Sequence, residues 1–177
     1  MDKGWIELDG RPLITHVLAR FAPQVSEVII SANRNVERYA GLGHPVVTDQ
    51  VSGFAGPLAG LHAALGLARY DLVCTVPCDS PLLPLDLVAR LRKALQESQA
   101  RAAVATTGGR LQPVFALYQR SLRADLGSYL AAGEHKAEAW QRRLERIEVS
   151  FDDAPDAFRN VNTPEDLAAL RQRPQSL

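Results

Sequence analysis

The sequence predicts an α/β layered domain with a mostly parallel sheet, and three observations carry that reading. Short apolar, β-branched runs of strand length recur along the chain. Longer stretches with apolar residues at helical spacing separate them, which is the alternation of a layered domain. Polar residues gather at the ends of the runs, where an open sheet presents its crevice.

The elements follow in order. Leu13, Val17 and Phe21, with Ile14 and Leu18, form one helical stripe opened by Pro12, a residue that suits a first turn. The runs 27–31, 44–49 and 72–76 are too short for stable helices and read as buried parallel strands. Between the last two, the small and apolar residues of 57–68 allow a helix to pack closely on the sheet. In 84–98, Leu87, Leu91 and Leu95 align on one helix face. Residues 102–106 and 113–118 flank Gly108-Gly109-Arg110 and read as strand, turn and strand. A last strand is expected at 146–151, and helices at 121–132, 134–143 and Pro164–Arg171, the last opened by the cap-like Thr163. No repeat or linker interrupts the series, so a single domain over 1–171 is expected, with a frayed tail at 172–177.

Composition narrows the function. In 177 residues, 20 basic side chains balance 20 acidic ones, which offers no electrostatic argument for nucleic acid or a membrane surface. No apolar run approaches the roughly 20 residues a membrane helix needs, and Met1-Asp2-Lys3-Gly4-Trp5 is not a secretory signal; a cytoplasmic protein with a small-molecule partner is expected. Cys74 and Cys78 are spaced for neither a Cys-x-x-Cys redox pair nor a zinc site, and read as free thiols. His16, His44, His62 and His135 lack metal-ligand spacing.

The most informative run is Val76-Pro77-Cys78-Asp79-Ser80-Pro81, which sets one carboxylate at the carboxyl end of a buried strand between two prolines that limit backbone freedom. Such an Asp can hold a divalent cation against a phosphate chain. The plainer account is a turn that caps the helix opening near Asp86. Other strand ends carry Ser31 with Asn33 and Arg34, then Asp49, and the pair Asn160 and Asn162. In a doubly wound sheet these would converge on one crevice, although each is also an ordinary loop residue.

Taken in order, Asp2-Lys3-Gly4, Leu8-Asp9-Gly10-Arg11-Pro12-Leu13, Ser31-Ala32-Asn33-Arg34, Asp49 and Gly56-Pro57-Leu58-Ala59-Gly60 begin a set of motifs that spans nearly the whole chain. Pro77-Cys78-Asp79-Ser80-Pro81, Gln112-Pro113-Val114-Phe115-Ala116-Leu117-Tyr118 and Asn160-Val161-Asn162-Thr163-Pro164-Glu165-Asp166-Leu167 complete it. This set resembles the molybdenum cofactor guanylyltransferases of the MobA type, and the Asn-Val-Asn-Thr-Pro ending separates them from related sugar and cytidine nucleotidyltransferases.

The resemblance implies a three-layer, Rossmann-like nucleotidyltransferase fold with helices on both faces of the sheet. It implies transfer of GMP from GTP to molybdopterin or its molybdenum form, with pyrophosphate released and Mg2+ as the cofactor. Asp79 would bind the metal with Asn160 or Asn162, and Lys3 would meet phosphate oxygens as a point charge. Asp49 would take the donors of guanine or its ribose, beside Ser31 and Asn33. Arg110, Gln112, His135 and Lys136 are weaker candidates for the pterin phosphate, since surface charge accounts for them as well. Other cofactor-biosynthesis proteins or recipient molybdoenzymes are the implied protein partners. Two further readings stay open: an inactive binding module on the same fold, and a relative that uses CTP or a sugar nucleotide.

Two departures from the family carry expectations. The family's opening strand and Gly-rich loop, which precede Asp-Lys-Gly, are absent from this sequence, so the natural protein is expected to extend upstream of Met1 and this chain to bind GTP poorly. Losing a middle strand should leave its two neighbours with unpaired ladder groups and a breached core. Ser31 stands where relatives carry Asn, which bears on binding strength rather than reaction type.

Overall fold

The computed structural model describes residues 2–49 and 56–171. In chain order these form β1 (Glu7–Leu8), β2 (Arg11–Pro12), α1 (Leu13–Phe21), β3 (Ile30–Ser31), α2 (Val36–Ala40) and β4 (Val46–Val47). Then come α3 (Pro57–Leu67), β5 (Leu72–Thr75), α4 (Leu87–Gln96), β6 (Ala102–Thr107), β7 (Arg110–Gln119), α5 (Arg123–Ala131), α6 (Ala137–Arg143), β8 (Ile147–Ser150) and α7 (Pro164–Arg171).

The main sheet has the order β5-β7-β6-β8, and its period-two side-chain alternation builds two cores. Ala103, Ala105, Phe115 and Leu117 face one side, where Val17 and Phe21 of α1 and Leu87, Leu91 and Leu95 of α4 cover them. Ala102, Val104, Ala116 and Tyr118 face the other, against Leu58, Leu61 and Leu65 of α3, Leu126 and Leu130 of α5 and Trp140 of α6. The alanines let the helices approach closely, and aromatic edges fill what remains: Phe158 meets Phe115 and Phe151 at centroid distances of 4.7 and 5.2 Å. These two faces make the three-layer α/β fold expected of the sequence.

Pairing within the sheets is mixed. β3 with β4 and β6 with β8 run parallel, whereas β7 is antiparallel to β5 and β6. The turn forces that direction: Gly108 and Gly109 take φ of +55° and +70°, the left-handed pair that closes a two-residue hairpin. The same chemistry closes β1 and β2 through Asp9 and Gly10, φ +51° and +72°, a hairpin the sequence reading passed over. Also unforeseen is α2, whose five residues are too few to display a period.

β3 and β5 do not pair with each other; among the described residues they stand in separate sheets and both line one cavity of about 760 Å³. Its walls come from α1, α3 and α4, including Ile14, Val17, Leu61 and Val88. Among the described residues β3 pairs with β4 alone and β5 with β7 alone. β3 is shorter than the apolar run 27–31 that contains it, with β4 as its described partner. The expected tail at 172–177 lies outside the described residues, as do Gln50 and the residues before Gly56.

Candidate functional site

Asp79 sits past the carboxyl end of β5, where the chain leaves the sheet through Pro77. Its carboxylate is 6% exposed, and the cation that meets it is Lys3, at 3.3 Å. Of the plainer account the turn is present at Cys78 and Asp79 but the cap is not: α4 opens at Leu87 behind Asp86, and the Asp79 side chain meets Lys3. Lys3 leaves the one-turn 3₁₀ segment Lys3–Trp5 and also donates to Asn162 Oδ1 at 2.6 Å. Three residues far apart in sequence therefore meet over one ammonium group.

The segment carrying Asn160 and Asn162 is pinned from below and from its own helix. Val161 N donates to the Asp79 carbonyl at 2.8 Å, which stitches this segment to the loop after β5. Asp166 accepts from the amides of Asn162 and Thr163 at 2.9 Å each, and its own amide donates to Thr163 Oγ1, a reciprocal cap on α7. Those amide donors hold the Asp166 carboxyl below its ordinary value. Of the two asparagines, Asn162 reaches Lys3, while Asn160 Oδ1 accepts from the fully buried Ser80 at 2.7 Å.

The second half of the site lies across the cavity mouth, whose lining includes Ser31, Asn33, Asp49 and Asp79. Asn33 and Asp49 are locked reciprocally: the amide side chain donates to Asp49 Oδ2 at 2.7 Å and accepts from Asp49 N at 2.8 Å. That lock spends Oδ2 and points Oδ1 toward α3, where Gly60 leaves room; a Cβ there would sit 3.7 Å from Oδ1 and collide with Ser31 Oγ. Ser31, Asn33, Asp49 and Asp79 are thus brought to one cavity; Lys3 and Asn162 stand outside its lining and join it through the Lys3 bonds to Asp79 and Asn162.

The weaker candidates are not drawn into this group. Arg110 and Gln112 stand at the start of β7, at the same end of the sheet as Asp79 but outside the cavity lining. Lys136 precedes α6, and its carbonyl accepts from Tyr129 Oη. His135 lies in the same connection and is likewise outside the lining. Residues that the sequence reading missed include Ser80, Asn35 and Tyr39; Asp166 stands with Thr163 at the helix opening expected from the sequence.

Cys74 and Cys78 are free thiols, as expected. Burial pushes Cys74 up to about 12, and burial together with the Asp79 charge pushes Cys78 up to about 11. Neither is a ready nucleophile. His16 is bound to the Leu8 carbonyl at 2.9 Å, and no group of three or more His, Cys, Asp or Glu is arranged to hold a metal among the described residues. An all-protein cage is not the design. One buried carboxylate with an amide oxygen, both already turned toward a cationic group, does fit a divalent cation that is held by one or two carboxylates plus substrate phosphates. No described helix is long and apolar enough to cross a membrane.

Known proteins resemble the chain in sequence and in fold. A molybdenum cofactor guanylyltransferase of Shewanella woodyi is 47% identical over 171 residues, covering 97% of this chain and 87% of its own length. The crystal structure of molybdopterin-guanine dinucleotide biosynthesis protein A from Archaeoglobus fulgidus superposes with a TM-score of 0.79 at 23% identity, over 96% of this chain and 88% of that one. The 2-C-methyl-D-erythritol 4-phosphate cytidylyltransferase of Thermus thermophilus follows at 0.72 and 22%, over 97% and 94%, so the fold itself is shared with a cytidylyltransferase. Residues 1–147 match the MobA-like NTP transferase domain, and the chain belongs to that family.

Proposed function

We propose that the chain is a molybdenum cofactor guanylyltransferase, transferring GMP from GTP to molybdopterin or its molybdenum form and releasing pyrophosphate. The observation that carries the reading is the buried Asp79, past the end of a strand, joined through Lys3 to Asn162 and lining the same cavity as Asp49. The high identity to a guanylyltransferase over nearly the whole chain supports it.

The reaction is an in-line displacement at the α-phosphorus of GTP. Such a transfer needs positioning and charge neutralisation more than covalent help. Asn33 holds Asp49 in one orientation and leaves its Oδ1 to accept from a donor of guanine or its ribose. Ser31, at the end of β3, offers a hydroxyl beside it. Lys3 supplies a fixed positive charge for phosphate oxygens. Asp79, with Asn162 and the substrate phosphates, would hold Mg2+, which when bound neutralises charge on the phosphate chain. Asn162 is preferred over Asn160 because the latter is occupied by Ser80. Arg110 and Gln112, at the Asp79 end of the sheet, remain candidates for the pterin phosphate, with His135 and Lys136 offered by their side-chain chemistry alone.

The test is incubation of the protein with Mg2+, labelled GTP and molybdopterin. Formation of the guanine dinucleotide supports the reading, and no product from a protein carrying the family's Gly-rich loop ahead of Asp2 rejects it. Competition by CTP as strong as by GTP would move the base assignment away from Asp49.

A further inference from the structure

The proposed transfer uses Lys3 and leaves its neighbour Asp2 without a task, yet Asp2 is held by two side chains. Its carboxylate accepts from Tyr39 Oη at 2.6 Å and from Asn35 Nδ2 at 2.8 Å. Tyr39 is 5% exposed, and its hydroxyl lies so close to Gly4 that a Cβ there would come within 2.5 Å of the oxygen. Trp5 packs on the Tyr39 ring at a centroid distance of 5.1 Å, with the Arg38 guanidinium 3.8 Å above the indole. Asn35 takes φ +53°, which turns the chain so that its amide faces Asp2. The whole 3₁₀ segment is thus gripped on one side by α2 and the residue before it.

Lys3 projects the other way. Its side chain is 50% exposed yet makes a 2.6 Å bond to Asn162 and a 3.3 Å ion pair with Asp79. A long, half-exposed side chain keeps its ammonium on one spot only if its backbone is anchored. We propose that Tyr39 and Asn35 are positioning residues that clamp the Asp2 carboxylate and thereby hold the Lys3 ammonium against Asp79 and Asn162. The proposal rests on the reading of Lys3 and Asp79 as the phosphate-handling centre.

A merely structural role would not need the hydroxyl. A phenyl ring would fill the pocket made by Ile14, Ile30, Leu18 and Val46 as well as a phenol does. The hydroxyl is instead spent on a carboxylate one residue from Lys3, and burial together with that bond raises its pKa, so it stays a donor. The same loop also bears Asn33, which orients Asp49. One short segment, 33–39, therefore sets both the base-side acceptor and the phosphate-side cation.

The chain contains three lysines, Lys3, Lys93 and Lys136, so a spectrum of the full chain labelled with 13C at lysine Cε resolves Lys3 directly. In the unsubstituted protein the Lys3 signal should stand apart from those of the exposed Lys93 and Lys136, with restricted motion. In Tyr39→Phe and, separately, in Asp2→Ala, it should move to their position and become mobile. Turnover should fall about tenfold with KM for GTP changed less than about threefold. A Lys3 signal unchanged in both variants overturns the proposal, as does a mobile Lys3 with undiminished kcat when Asp79→Asn is inactive. Asp79→Asn also keeps the two readings apart: full turnover there, with a Lys3 signal that still collapses in Tyr39→Phe, removes the role of the carboxylate and leaves the clamp standing.

Discussion

At the scale of single residues, Asp79 combines burial with a formal charge, a state that costs free energy unless the charge is used. Asp79→Asn keeps the shape and removes the charge. Turnover of GTP should fall by about 10²- to 10³-fold, the range for loss of one preorganised electrostatic group, while the thermal midpoint stays level or rises. Steady-state kinetics and a melting curve check the two halves separately. Gly60 makes a complementary case on the base side. Gly60→Ala adds a methyl where Ser31 Oγ now lies, so Ser31 must turn and crowd the rim beside Asp49. The helix itself gains about 1 kcal/mol from the exchange, so the expected result is weaker GTP binding by calorimetry without loss of fold.

At the scale of elements, α7 is written in its first turn. Thr163 and Asp166 cap each other's amides, and this cap also presents Asn162 to Lys3. Thr163→Ala should cost about 1 kcal/mol in α7 and loosen Asn162 with it. The pH dependence has a definite sign. The Asp166 carboxyl is held below its ordinary value in the folded chain, so its contribution is present above the ordinary carboxylate range and lost as pH falls through the lowered value. An acid titration followed at the amides of Asn162 and Thr163 should show them released before the β6 amides; simultaneous release would contradict this. The hairpin β6–β7 depends on Gly108 and Gly109, and its Gly-Gly pair announced it in the sequence. The Asp9-Gly10 turn carries the same signal, yet strands of two residues leave no alternation to notice. α2 left still less, because Val36-Glu37-Arg38-Tyr39-Ala40 is a single turn and a half with one buried side chain.

At the scale of the whole molecule, the sheet is strong on one side and open on the other. β6 is paired on both edges, whereas among the described residues β5 pairs with β7 alone, and β5 and β3 both line the cavity. Hydrogen exchange should rank them accordingly. Amides of β6 should exchange only by global unfolding, and those of β3 and of the cavity edge of β5 should exchange by local opening, orders of magnitude faster. Equal protection across the three strands would show that the cavity is closed in solution. The site straddles this boundary: Asp79 belongs to the well-paired half, and Asn33 and Asp49 to the β3–β4 half.

Alternation of apolar runs and helical stripes settled the α/β class, the faces of α1 and α4 and the presence of Asp79 at a strand end, because periodicity and turn chemistry act between near neighbours. The ordered motifs named Lys3, Asp49 and Asn162 as well. Only the tertiary structure decided which groups touch: Asn162 rather than Asn160 on Lys3, Asn33 locked to Asp49, and Tyr39 reaching Asp2. Those choices depend on where sheet, helix and loop ends come to lie in space, over separations of 16 to 159 residues, and nothing local to any one residue encodes them.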